Sequence, residues 1–335
     1  MKFGETFTEY LHGDQERFLD KCSHVPYKRL KKVLKSCRIC RASASSSAAQ
    51  DVDEEKSGGE LSHCRCESCP LCDQMFFSEL TKEASAIAGC FSSRVRHLLH
   101  LHVSTGLLRY MWRLRHCFTD DQQTMVKEGQ LLIEYVTMNA IAIRKILKKY
   151  DKVHCSVNGR NFKTKMQAKH IELLQSPWLI ELGAFYLNCR GSDDGESGQF
   201  FSKFSCDLSD TRSVMTLTLS DSVKLEYSLT CAICLDIVFN PYALSCGHLF
   251  CKGCVCSAAS VLLFEGLKAA HPESKCPICR AVGVYADSVH MTELDLLLKN
   301  RCKAYWKERM RSERAEMVKQ SKMYWDSQTK FAIGY

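Results

Sequence analysis

The sequence predicts a mainly α-helical N-terminal bundle, a small cysteine-stapled α+β module after residue 228, and a helix towards its C-terminal end. Three observations predict this. Apolar residues recur at helical spacing through much of the first 190 residues. Seven cysteines and one histidine stand in paired spacings between 231 and 279. From about 291 to 328 the pattern is helical but very polar.

At 335 residues the chain has room for two domains and a small third element. The composition, 45% hydrophobic and 25% charged, is that of a globular protein. No apolar run reaches the roughly 18 residues that span a bilayer. The first twenty residues carry Lys2, Glu5, Glu9, Asp14, Glu16, Arg17 and Asp20, which is not the apolar core of a signal peptide. The expected compartment is therefore the cytosol or nucleus. There, 21 cysteines point to metal ligation rather than structural disulfides wherever their spacing fits. The formal net charge is +8, so where the positive charge clusters matters more than its sum.

In chain order, Met1 to Leu11 and Tyr27 to Leu34 read as short basic helices separated near Pro26. Residues 42–60 are small, polar and acidic and read as a disordered loop. A long helix is predicted from about Phe76 to His116. The next starts at Thr119, where Thr119 and Gln122 have capping-box spacing and Asp120 and Asp121 suit the positive helix end. It runs to Lys152, about 50 Å at 1.5 Å per residue. Leu131, Tyr135, Met138, Ala142 and Ile146 lie near one stripe of it. Pro177 opens another apolar helix, residues 191–198 read as a linker, and alternation at 215–219 and 223–227 predicts a hairpin. The expected domains are thus 1–165, a connecting segment 166–228, the cysteine module 229–282 and a helix 290–328.

The cysteine pattern is Cys231-x2-Cys234-x11-Cys246-x-His248-x2-Cys251-x2-Cys254-x21-Cys276-x2-Cys279. Four such half-sites supply the N/S tetrahedra of two zinc ions. The order of ligands resembles the RING finger family, over about 50 residues. The resemblance implies a cross-brace: Cys231, Cys234, Cys251 and Cys254 on one ion, and Cys246, His248, Cys276 and Cys279 on the other. It also implies ubiquitin ligase activity, in which no cysteine of the module is a nucleophile. Ile233 and Pro277 match the family's contacts to a ubiquitin-conjugating enzyme, and Arg280 its ubiquitin-positioning cation. Arginine suits that task as a multi-donor fork. Many members have Trp four residues after the sixth ligand; Ala258 stands there, with Val261, Leu262 or Phe264 as candidate substitutes.

Lys145, Lys148, Lys149 and Lys152 share a helix face. Such a strip suits a polyanion, and equally a solvated helix C-terminus favoured by the dipole. The segments MKFGETF, PYKRLKKVLK and IRKILKKYDK resemble the three basic helical segments of the SPX domain. That resemblance implies binding of inositol pyrophosphate and, more weakly, phosphate. It assigns Tyr27, Lys31 and Lys149 to a phosphate-binding cluster and Lys145, Lys148 and Lys152 to a lysine surface cluster. Lys2 falls in the family's basic first helix. The match over 41–118 is one of helical character only, and Ala140-Ile141-Ala142 departs from the family's usual run.

SPX followed by RING resembles a group of plant ubiquitin ligases. The resemblance implies a ubiquitin-conjugating enzyme and ubiquitin as partners. It implies phosphate transporters as substrates, with nitrate transporters as a further candidate. It places the protein in nucleus and cytoplasm, with peripheral recruitment to the plasma membrane. The competing reading is a phosphate-status sensor that sequesters a partner without catalysis. Cys37, Cys40, Cys69 and Cys72 form two more knuckles that could hold a third zinc. Cys256 lies off the ligand register. Residues 299–322 hold nine Lys/Arg against three Glu, and Tyr305, Trp306, Tyr324 and Trp325 favour self-association or substrate contact there over nucleic acid.

Overall fold

The computed structural model describes residues 3–12, 22–35, 70–103, 121–154, 157–168, 171–189, 204–209, 212–220 and 223–334. The chain divides into two compact units, Met1–Arg94 with Leu131–Leu174, and Val95–Gln130 with Gln175–Tyr335. Lys2, the loop 42–60 and the linker 191–198 lie outside the described residues, as do Cys37, Cys40, Cys69 and the side chain of Cys72.

The first unit is helical. It contains α1 (Phe3–Leu11), α2 (Tyr27–Lys35), most of α3 (Pro70–Val103) and of α4 (Asp121–His154), and α5 (Asn158–Ala168). Phe76, Leu80, Ala84, Ile87 and Phe91 recur every three or four residues of α3 and are fully buried. The buried stripe of α4 keeps the expected Tyr135, Ala142 and Ile146, but leans towards Leu132, Val136 and Asn139. Leu131 and Met138 are only half-buried. Asn139 earns its buried place by hydrogen bonding. Its Oδ1 accepts the N–H of Val25 at 2.9 Å, and its Nδ2 donates to the Tyr135 carbonyl at 2.9 Å, fixing the approach to α2. Asp151 accepts the N–H groups of Gly159 (2.6 Å) and Arg160 (3.2 Å), covering the open donors at the start of α5. A Cβ at Gly159 would lie 2.7 Å from the Leu147 carbonyl oxygen, so the α4–α5 elbow needs glycine.

In the second unit, α6 (Pro177–Cys189) buries every residue from Leu179 to Leu187. A helix apolar all round must be covered on several sides. One cover is an antiparallel sheet, β1 (Phe204–Ser209), β2 (Arg212–Ser220) and β3 (Val223–Ser228). The sequence predicts only the β2–β3 hairpin. β1 is not among the expected strands, although Phe204, Cys206 and Leu208 alternate with Ser205, Asp207 and Ser209; it pairs Phe204 to Ser209 with Leu217 to Arg212. Phe204, Met215 and Leu217 form the buried face. A Cβ at Gly183 of α6 would lie 2.6 Å from the Phe204 ring, so glycine permits this contact. The cysteine module has its own sheet, ordered β5–β4–β6, from β4 (Pro241–Ala243), β5 (Leu249–Cys251) and β6 (Val289–His290). α7 (Lys252–Ala258) follows β5.

The expected single C-terminal helix is two. α8 (Thr292–Arg301) and α9 (Lys303–Ile333) break at Cys302, whose φ/ψ of −120/54° is not helical. The two helices have different surroundings. α8 buries Leu294, Leu297 and Leu298 and packs along α6, whereas no residue of α9 is fully buried. Leu294, Leu296, Leu297 and Leu298 mark the buried helix in the sequence, and α9 has no such cluster. The helix expected over Phe76–His116 is α3, which starts earlier at Pro70 and is described to Val103. None of the described helices is long and apolar enough to cross a membrane.

Candidate metal centre

The eight ligand residues form two clusters: Cys231, Cys234, Cys251 and Cys254, and Cys246, His248, Cys276 and Cys279. Within each, all ligating atoms lie within 4.8 Å of one another. Thiolates at about 2.3 Å from a tetrahedral zinc are about 3.8 Å apart, and a thiolate and an imidazole nitrogen about 3.6 Å. Cys234 and Cys251 Sγ are 3.7 Å apart, and His248 Nδ1 is 3.4 Å from Cys246 Sγ and 3.6 Å from Cys276 Sγ. The residues therefore fit zinc, with His248 presenting Nδ1. The chemistry of the donors agrees. Four thiolates gathered this closely repel one another, and a divalent cation is what balances their charge. Cys256 is buried and pushed up to about 11 by desolvation, an inert thiol beside the site.

Local backbone chemistry makes the two half-sites alike. The N–H of Leu235 donates to the Cys231 carbonyl (2.9 Å) and that of Arg280 to the Cys276 carbonyl (3.0 Å). The N–H of Cys231 donates to Asp236 (2.8 Å) and that of Cys276 to Ala281 (2.9 Å). Each tight turn needs a left-handed residue after its second cysteine, and Leu235 (φ 62°) and Arg280 (φ 59°) supply it. Glycine would occupy those positions at lower cost. Cys246 and His248 flank Gly247 (φ 83°) in the β4–β5 turn, while Cys251 ends β5 and Cys254 lies in α7. Cross-bracing is thus imposed by topology.

The RING-type zinc-finger family matches residues 231–277. A rice protein named probable E3 ubiquitin-protein ligase BAH1-like 1 is 64% identical over 339 residues, covering 100% of both chains. An Arabidopsis thaliana protein named probable E3 ubiquitin-protein ligase BAH1-like is 64% identical over 336 residues, again with 100% of both covered. The chain belongs to the BAH1-like family of E3 ubiquitin-protein ligases. E3 ubiquitin-protein ligase NLA of Arabidopsis thaliana is 41% identical over 346 residues and 100% of both chains. No solved structure matches the chain. The protein is a RING-type ubiquitin transferase, and its partners include ubiquitin and a conjugating enzyme.

On this BAH1-like ligase, Ile233, Pro277 and Arg280 are all exposed, Ile233 at 41%. Leu235 and Ile278 beside them are exposed apolar residues as well. Phe264, a candidate for the absent Trp, is 40% exposed and meets Tyr324 of α9 edge-on at 5.5 Å. In the helical unit, Tyr27 is buried beneath α1. Its ring meets Phe3 at 5.3 Å, and the Lys145 ammonium lies 4.3 Å from the Phe3 centroid. Lys145, Lys148 and Lys152 are exposed; Lys31 and Lys149 are half-buried. Tyr27 and Lys31 line an open cleft of about 440 Å³ with Lys28, Gly4, Thr8, Glu5 and Glu9. The α4 lysines stand outside that lining.

Two buried or half-buried charges escape sequence reading. Glu181 of α6, 2% exposed, accepts the N–H groups of Glu293 (3.2 Å) and Leu294 (2.9 Å) at the start of α8. A lone carboxylate inside PWLIELGAFYLN was the available signal. Arg309 of α9 reaches the first metal cluster, and nothing in its local sequence marks it out.

Proposed function

We propose that this ligase couples ubiquitin transfer to phosphate status. Its helical unit binds an inositol pyrophosphate through an SPX-like surface. Its RING directs ubiquitin to lysines of phosphate transporters, with recruitment from cytoplasm and nucleus to the plasma membrane. The observation that carries the sensing half is the convergence of the three basic segments. Phe3, Tyr27 and Lys145 come from α1, α2 and α4 and touch in succession. On the same helices Lys31, Lys148, Lys149 and Lys152 would supply point charges, and the tyrosine a directional donor.

Zinc, when bound, fixes the two knuckles that frame the conjugating-enzyme face. Ile233 and Pro277 offer exposed apolar contacts, which suit a partner anchor. Arg280 holds a left-handed backbone where glycine is cheaper, which supports a use for its side chain. In this reading the RING residues dock and orient a loaded carrier, which is catalysis by proximity. Arg280→Ala is expected to slow single-turnover ubiquitin discharge by about tenfold to a hundredfold, the scale of lost orientation, with two zinc ions still bound. An unchanged rate would remove Arg280 from the mechanism. Calorimetry with an inositol pyrophosphate tests sensing. Lys149→Ala or Tyr27→Phe should weaken binding, by roughly tenfold for the lysine if it holds a charged hydrogen bond. Equal affinity in folded variants would end the sensing claim.

A further inference from the structure

The C-terminal helix is basic and polar along most of its length, yet its first three turns are seated on one loop of the RING. That loop, 234–240, joins the second zinc ligand to β4. Tyr305 donates its hydroxyl to the Ile237 carbonyl at 2.5 Å. Trp306 meets the Phe239 ring at 5.7 Å. Glu313 accepts from the Asn240 amide at 2.8 Å. Arg309 stands among them. Its Nη1 lies 3.6 Å from Asp236 Oδ2, and its Nη2 lies 4.0 Å from Cys234 Sγ and 3.9 Å from Cys251 Sγ. Its side chain is 29% exposed, so it is shielded on most sides.

Four thiolates around a divalent ion leave a doubly negative centre. A guanidinium at its edge offsets that charge and donates to sulfur, as partners beyond the ligands commonly do. Lysine could supply charge but not reach sulfur and carboxylate together, because the two Nη atoms of arginine form a fixed fork. The same loop follows directly from Ile233, the proposed anchor for the conjugating enzyme.

We propose that Arg309 is a positioning residue that ties α9 to the first zinc centre and so holds the Cys231–Asn240 loop in its docking pose. This rests on the ligase reading and deepens it: α9 becomes part of the RING's docking machinery rather than a separate basic tail. Arg309 touches neither ubiquitin nor its carrier in this scheme.

The test uses the full-length, zinc-loaded chain and a chromogenic chelator that reports release of each ion. Arg309→Ala should release one of its two zincs roughly tenfold faster, the low end of what a charge-assisted hydrogen bond sustains, and leave the other unchanged. Amides 234–240 should exchange faster. In ubiquitin discharge, the conjugating-enzyme concentration for half-maximal rate should rise while the saturated rate is kept, the reverse of Arg280→Ala. Arg309→Lys should restore part of the charge effect and little of the loop order. Should Arg309→Ala fail to fold, Tyr305→Phe removes only the hydroxyl bound to Ile237 and predicts the same amide pattern at smaller size. Unchanged zinc release and unchanged exchange at 234–240 overturn the proposal. Asymmetric zinc release in a chain that discharges no carrier keeps the tie and overturns the docking role.

Discussion

The two units treat their charges in opposite ways. On α4 of the helical unit, Lys145, Lys148 and Lys152 face solvent above a buried apolar stripe. In the RING-bearing unit, Arg309 is aimed at Asp236 and two thiolates, Glu313 at Asn240, and Glu181 at the start of α8. The first arrangement leaves charge available to a ligand. The second uses ionisable groups to tie one element of the fold to another. The helix that carries each set differs accordingly: α4 is anchored by its own core residues, and α9 by what it touches on a metal-built module.

Removing zinc breaks this comparison most forcefully. With both ions chelated, ubiquitin transfer should be abolished, because ligand energy is folding energy in so small a module. Hydrogen exchange should then show amides 303–324 of α9 losing protection while amides 132–150 of α4 keep theirs. Simultaneous loss in both helices would mean that α4 also depends on the metal, contrary to its buried stripe.

A second, smaller effect sharpens the contrast from the other side. Lys148→Ala with Lys152→Ala should weaken inositol pyrophosphate binding by about twofold to fivefold per lysine, the scale of exposed ion pairs. The salt dependence of affinity should flatten with it, since exposed charges are screened. Thermal stability should not fall, and should rise slightly if the strip is self-repelling. A loss of stability would show that these lysines hold structure as Arg309 does.

What was legible in the sequence follows the same division. The eight zinc ligands could be read because their spacing along the chain fixes the local turn; Cys-x2-Cys is a conformation as much as a composition. The long helices could be read because Tyr135, Ala142 and Ile146 repeat at the helical period. Arg309 could not. It is one of nine cations between 299 and 322, and its role exists only where α9 crosses the 234–240 loop. β1, by contrast, was legible and went unread: Phe204, Cys206 and Leu208 alternate with Ser205, Asp207 and Ser209 over one short run beside the linker. The break at Cys302 separates a helix that faces α6, marked by Leu294, Leu297 and Leu298, from one that faces the RING and has no apolar cluster to mark it. Cys37, Cys40, Cys69 and the side chain of Cys72, which could hold a third zinc, fall outside the described residues.

The smallest expected effect concerns Glu181, and it asks whether a buried charge is really a charge. Burial, with the Glu293 charge adding to it, pushes this carboxyl up to about 8, against the N–H groups of Leu294, Glu293 and Thr292 that favour its ionised form. It borders a cavity of about 300 Å³ with Arg96, His100, His290 and Glu293; His290 is held below its usual range, chiefly by the same burial. A carboxyl with a raised value in the folded state binds its proton more tightly there than in the unfolded chain. Its contribution is therefore complete below the ordinary glutamate range and is lost as pH rises towards 8. His290 has the opposite sign, and its influence fades above its ordinary value near 6.5. Between pH 7 and 8 the slope should thus belong mainly to Glu181, with zinc kept saturating throughout. Urea midpoints should fall across that interval in the wild type and stay level above it, and Glu181→Gln should flatten the profile. A wild type already level from pH 7 would show the carboxylate ionised, its burial offset by the helix start it caps. In that case Gln would lower stability at every pH in the interval, and the capping bonds rather than desolvation would set the energetics of the α6–α8 contact.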